Sequence, residues 1–153
     1  MNHIHLIMPG EISSELSNMV KVVTEGVNTT IIRDANNIPN LQNKKIVFAV
    51  QLNSIGCNIQ LFEMLTKLYE RDKDSLKGSS GLILIKSPSK LYTKSMAQNI
   101  IFIANQMGCR FPGHPLVECI QDMENFRTWQ KKLKMSTEDI CMELCKKARE
   151  NFL

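Results

Sequence analysis

Two short runs of almost unbroken apolar residues limit what this chain can fold into. Residues 45–52 read Lys-Ile-Val-Phe-Ala-Val-Gln-Leu, and residues 81–85 read Gly-Leu-Ile-Leu-Ile. A strand with one wet face alternates apolar and polar side chains. Runs like these require strands buried on both faces, as in the interior of a parallel sheet covered by helices. Parallel neighbours cannot be joined by a hairpin, so each needs a crossover, usually helical.

The remaining sequence supplies those crossovers. Residues 3–8 read as a first strand, stopped by Pro9-Gly10. Ile12, Leu16, Met19, Val20 and Val23 then share one helical face. Ser13 or Ser14 is placed to cap the start of that helix, and Gly26 its end. The β-branched Thr29-Thr30-Ile31-Ile32 reads as a short second strand, and Asn36, Asn37, Pro39 and Asn40 form a polar connection. After the run at 45–52, the loop Asn53-Ser54-Ile55-Gly56 leads into a helix carrying Leu61, Phe62, Leu65, Leu68 and Tyr69. Residues 72–80 are a surface loop before the second run, which Ser87-Pro88-Ser89 ends. A helix over about residues 93–107 is apolar around most of its circumference, and Gly108 closes it. A last strand is expected within 109–118, interrupted or preceded by Pro112-Gly113-His114-Pro115. A helix bearing Ile120, Met123, Phe126 and Trp129 follows. The capping-box sequence Ser136-Thr137-Glu138-Asp139 opens a final helix, about 136–152, lined by Ile140, Leu144, Ala148 and Phe152. No repeat or boundary divides residues 1–153, so one domain is expected.

Composition excludes several function classes. The chain has 43% apolar and 22% charged residues, a globular balance. Its net charge of +4 is modest, and the lysine groups at 131, 132 and 134 and at 146 and 147 read as solvated helix faces. With 6% aromatics and no stacking platform beside those lysines, no nucleic-acid partner is expected. No apolar run spans a bilayer, so no membrane partner is expected either. The five cysteines follow no regular framework, which predicts reduced thiols and a cytoplasmic protein. Cys141 and Cys145 share a helix face and His3 and His5 a strand face, but neither pair has a third ligand in view, so no metal is expected.

Strands alternating with helices predict right-handed crossovers. Five strands near positions 3, 29, 45, 81 and 110 fit a doubly wound parallel sheet in the order 2-1-3-4-5, with helices on both faces. Phosphorelay receiver domains share that order but need an acidic pair after the first strand, an Asp ending the third and a Lys ending the last. Met8-Pro9-Gly10, Leu52-Asn53 and Val117-Glu118 stand in those places, which rejects that branch. The segments Gly81-Leu82-Ile83-Leu84-Ile85-Lys86-Ser87-Pro88, Tyr92-Thr93-Lys94-Ser95 and Asn105-Gln106-Met107-Gly108-Cys109 resemble the flavodoxin and NADPH-dependent FMN-reductase group, and strand spacing extends the resemblance over nearly the whole chain. The resemblance implies a flavodoxin-like fold, FMN as cofactor, NAD(P)H or a redox protein as partner, and NAD(P)H-dependent oxidoreductase activity. It also places the FMN phosphate at the turn after the first strand. There Gly10, Ser13 and Ser14 fit, whereas Pro9 lacks a donor and Glu11 adds a negative charge, so Glu11→Ser is expected to tighten binding. The group usually sandwiches the flavin ring with aromatics, and here only Tyr92 is available.

Ligands of open parallel sheets bind beyond the carboxyl ends of the strands, near the switch point. That rule selects Gly10, Ser13, Ser14, Asn53, Ser54, Gly56, Ser87, Ser89, Tyr92, Thr93 and Lys94 as cofactor-binding candidates. Serines and threonines there also serve as helix caps, Ser13 and Thr93 being suited to both roles. His114, in its Gly/Pro-shaped loop, is either an acid, base or phosphate partner or a structural turn residue. Cys57 stands near a helix start, where it is either an activated or a packed thiol. The alternative to a flavin enzyme is a flavodoxin-like domain that has lost the flavin and acts as an interaction or assembly module; a third option is an enzyme acting on another phosphorylated small molecule. The consecutive Ile100-Ile101-Phe102-Ile103 predicts a homodimer through that helix, with Phe102 or Ile103 left over by the core, unless the final helix folds back to cover them.

Overall fold

The computed structural model of the chain describes residues 2–120 and 137–153. Its elements are β1 (His3–Ile7), α1 (Ser14–Thr24), β2 (Asn28–Ile32), β3 (Lys45–Gln51), α2 (Ile59–Arg71), β4 (Ser80–Ser87), α3 (Lys90–Gln106), β5 (Leu116–Ile120) and α4 (Thr137–Phe152). Of the helix expected to carry Ile120, Met123, Phe126 and Trp129, Ile120 instead ends β5, and the rest lies outside the described residues, as does part of the expected capping box. The sheet runs β2-β1-β3-β4-β5 with every pair parallel, the doubly wound order expected.

Alternation along the two central strands builds two cores. Phe48, Val50, Ile83 and Ile85 face Leu61, Leu65 and Leu68 of α2 and Met96, Ile100 and Ala104 of α3. Val47, Ala49, Leu82 and Leu84 face Leu16, Met19 and Val23 of α1 and Cys141, Cys145 and Ala148 of α4. Removing each large side chain from water contributes about 1.5–3 kcal/mol, so these runs hold the domain together as well as set its topology. No helix of the described residues is long and apolar enough to cross a membrane.

Three expectations are corrected. The fifth strand begins at Leu116, not near 110. Arg110 makes only an isolated bridge to Ser80, because Pro112 and Pro115 lack the N–H donors that a continuous ladder needs. The third helix begins at Lys90, three residues early, because Ser89 supplies its cap. The final helix packs against α1 and β5, on the face opposite α3, and so leaves Phe102 uncovered.

His5 carries a pH-dependent weakness. It is buried on β1, and its Nδ1 has no hydrogen-bond partner among the described residues. Burial, then the charges of His3 and Lys44, lower its pKa from the ordinary 6.5. The fold therefore prefers the neutral ring, while the unfolded chain takes up a proton as pH falls through 6.5. The contribution is full above that pH and shrinks below it until the folded pKa is passed. The urea midpoint is expected to fall between about pH 7.5 and pH 5 by more in the wild type than in His5→Leu; equal falls would contradict this role.

Candidate functional site

The carboxyl ends of β1, β3 and β4 bring three loops to one edge of the sheet. After β1, Gly10 turns the chain with φ +76°, and a side chain there would meet the Gln60 amide at 2.4 Å. The N–H groups of Gly10, Glu11 and Ile12 find no acceptor among the described residues. Ser13 caps α1, its Oγ accepting from Leu16 N at 3.2 Å, while its own N–H donates to Gln51 Oε1 at 3.1 Å. Glu15 folds back on the same helix start. Its own backbone N–H binds the carboxylate and holds it below the usual carboxylate range, helped by Lys86 and by the Ser14 and Ser13 hydroxyls. Open donors at a helix N-terminus are suited to seat an anion, and one carboxylate already takes part of this place.

The loop after β3 is held by Asn53, whose Oδ1 accepts from Ile55 N at 3.1 Å and Cys57 N at 3.0 Å. Asn58 caps α2 and ties this loop to the first, its Nδ2 donating to Gln51 O at 3.1 Å and Pro9 O at 3.4 Å. After β4, Ser87 Oγ donates to Ser89 O at 2.7 Å, and Ser89 caps α3. The second and third loops meet where Tyr92 lies on Gly56. Gly56 has φ +77°, and a Cβ there would sit 2.3 Å from the ring.

Exposed apolar residues flank that contact along the chain. Ile55 is 70% exposed, Ile59 68% and Leu91 73%. The rim of these two loops therefore carries aliphatic side chains, where the resemblance implies aromatics. The sequence did carry a signal for them. Ile55 stands in an otherwise polar turn, Asn-Ser-Ile-Gly, and Leu91 lies off the inward stripe of α3 formed by Met96, Ile100 and Ala104.

Of the residues selected from sequence, Gly10, Ser13, Ser14, Asn53, Ser54, Gly56, Ser87, Ser89 and Tyr92 lie on these three loops or the helix starts they lead into, and Lys94 is exposed near the start of α3. Ser87 is buried and engaged with Ser89. Two placements are corrected. Thr93 is no cap: it is buried within α3, and its hydroxyl donates to the Glu118 carboxylate. His114 stands in the loop that enters β5 at its amino end, away from the carboxyl edge, because the parallel β5 begins only at Leu116. Glu11 is exposed on the first loop, and Glu15 brings a second carboxylate to the start of α1. Cys57 precedes the cap residue Asn58 and lies outside α2. Among the described residues, no three His, Cys, Asp or Glu side chains are grouped to hold a metal ion.

No protein-family model matches the sequence, and no curated protein matches it. Solved structures do match over the whole chain. A Fusobacterium nucleatum flavodoxin bound to flavin mononucleotide is 12% identical, with full coverage of both chains and a TM-score of 0.64. An oxidised flavodoxin from Bacillus cereus is 11% identical over 99% of each chain, with a TM-score of 0.62. The apo form of an NADH:FMN oxidoreductase is 13% identical over 99% of this chain and 88% of that one, with a TM-score of 0.63. The fold is flavodoxin-like, of the kind flavodoxins and FMN reductases share.

Proposed function

We propose that the chain binds FMN at the carboxyl edge of its sheet and works as an NAD(P)H-dependent flavin oxidoreductase. The observation that carries this reading is the pairing of open donors at Gly10, Glu11 and Ile12 with the exposed apolar rim of Ile55, Ile59 and Leu91. A phosphate is suited to backbone donors at a helix start, and a flat ring system is suited to an apolar surface beside it. The residues present fit both ends of FMN. Gly10, Glu11 and Ile12 would hold the phosphate through their backbone N–H groups, and the rim would shield the ring from water. Bound FMN supplies the hydride or electron transfer. A cytoplasmic setting suits the five free cysteines.

A second reading has its own support. Ser13 N–H is already taken by Gln51, Glu15 occupies part of the seat, and Tyr92 fills the space above Gly56. These contacts suit a flavodoxin-like interaction module without flavin. Quenching of flavin fluorescence on titration with the purified protein separates the two: saturable quenching is expected for the flavin protein, and none for the module.

Self-association is part of the proposal. Ile103 packs against the core, whereas Phe102 is 65% exposed on α3. Twofold pairing would cover it. Light scattering after size exclusion is expected to give a dimer for the wild type and a monomer for Phe102→Glu. A monomeric wild type at tens of micromolar contradicts the pairing, and a dimeric variant contradicts this surface.

A further inference from the structure

The loops at the amino ends of β4 and β5 enclose a cleft on the edge of the sheet opposite the flavin site. One loop enters β4 from α2, and the other runs from the end of α3 to β5. Between them lies a space of about 520 Å³, lined by Lys77, Gly78, Asn105, Gly108, Cys109 and Arg110. Clefts of about 300–1,000 Å³ are the size that takes small molecules. Lys77 and Arg110 are both exposed. Among the described residues, no carboxylate lines this cleft and none lies within ion-pair distance of either cation.

Main-chain bonds fix where both cations start. Arg110 N donates to Ser79 O at 2.9 Å, and Arg110 O accepts from Gly81 N at 2.7 Å. Lys77 N donates to Asp74 O at 3.0 Å, and Lys77 O accepts from Asn43 N at 2.9 Å. Leu76 N donates to Met107 O at 3.0 Å and so ties one wall to the other. Gly78 and Gly108, at φ +76° and +94°, put no side chain into the space between. The carbonyl end of a helix repels anions, but here Ala104 O and Asn105 O are already taken by the N–H groups of Met107, Gly108 and Cys109. What remains open to a ligand is two cations and the Asn105 amide. Another cleft, of about 390 Å³, has no such character: Asp72 brings a carboxylate to it, and its Arg71 guanidinium is spent on Ile38 O and Pro39 O at 2.6 and 3.1 Å.

We propose that the cleft between Lys77 and Arg110 binds the phosphoryl group of a small phosphate monoester. Charge selects this ligand class. A phosphate monoester carries about two negative charges at neutral pH and matches both cations, whereas a carboxylate leaves one of them unpaired. The guanidinium presents two parallel donors to two phosphate oxygens, the ammonium acts as a point charge, and the Asn105 amide donates to a remaining oxygen. The site does not rest on flavin binding, since Gly10, Glu11 and Ile12 stand at the other edge of the sheet.

The test follows the backbone amide resonances of the isotope-labelled full chain during titration with methyl phosphate, the simplest monoester, and separately with acetate, at constant ionic strength. Saturable shifts are expected at Lys77, Gly78, Gly108 and Arg110, with methyl phosphate bound at least about fivefold more tightly than acetate. Lys77→Gln and Arg110→Gln alter exposed side chains, so the fold is expected to stand, and each is expected to weaken methyl phosphate at this cleft at least about fivefold. Equal affinities for the two anions, or unchanged binding in both variants, overturns the proposal. So does the lack of shifts at these amides at tens of millimolar methyl phosphate, whether or not Gly10, Glu11 and Ile12 respond. Shifts at those three residues report on the flavin site, so the two sites stand or fall separately.

Discussion

Leu91→Asp is expected to weaken FMN binding by about 10- to 100-fold while leaving the fold intact. Leu91 is 73% exposed at the start of α3, so little core packing is lost with it. An acidic residue in a helix's first turn is favourable in itself. The loss falls on the ligand instead. Covering a leucine side chain is worth about 1.5–3 kcal/mol, which is about one to two powers of ten in affinity. A carboxylate would also repel the phosphate of FMN. Ile55→Asp is expected to behave alike, because Ile55 borders the Gly56–Tyr92 contact from the other loop. Leu144→Asp supplies the comparison, since Leu144 is exposed but lies on α4, away from the rim. Fluorescence titration of the three variants checks this: equal affinities in all three would remove the rim from the site.

The largest effect on stability is expected at Gly108. Its φ is +94°, and a Cβ would lie 2.7 Å from the Lys77 Cα. Both partners are backbone and neither can move freely. Met107 O accepts from Leu76 N at 3.0 Å, and Cys109 N donates to Ala104 O at 3.0 Å. An L-residue in the left-handed region costs about 1–2 kcal/mol, and forcing in an extra methyl adds about 1–3 kcal/mol. Gly108→Ala should therefore lose about 2–5 kcal/mol and lower Tm by roughly 10 °C. Gly26 isolates the two contributions, because its φ is +69° with nothing within 4 Å of an added Cβ. Gly26→Ala should lose about 1 kcal/mol only. Thermal unfolding of both variants checks the difference, and equal losses would mean that the Lys77 contact is not tight.

These two glycines also show what the sequence made legible. Both were readable as helix ends from position alone, since each follows a periodic apolar segment. The sheet was readable for a similar reason: the runs at 45–52 and 81–85 leave no solvent face, and β-branched Thr29 to Ile32 reads as a short second strand. Phe102 stood out because four consecutive apolar residues exceed one helical stripe. What escaped were features set by partners distant in sequence. Thr93 looks like a cap until Ser89 is seen to fill that place and Glu118, 25 residues away, is seen to take its hydroxyl. His114 looks poised for chemistry until the late start of β5 puts it at the opposite edge. Lys86 reads as an ordinary strand end, and only the β4–β5 register reveals that it faces Cys119. Glu15 at the start of α1 also escaped, because helix phase decides which carboxylate returns to the helix start.

Parallel titrations of the purified protein with FMN and with riboflavin test the account most directly. The two ligands share the ring and differ by the phosphate, so the rim sees the same surface and the seat at Gly10, Glu11 and Ile12 sees the difference. Hydrogen bonds from backbone N–H groups to a charged phosphate are each worth about 1.5–3 kcal/mol. Saturable quenching by both is expected, with FMN bound at least about tenfold more tightly than riboflavin. Equal affinities would contradict the anion seat, and no quenching by either at tens of micromolar would contradict flavin binding itself.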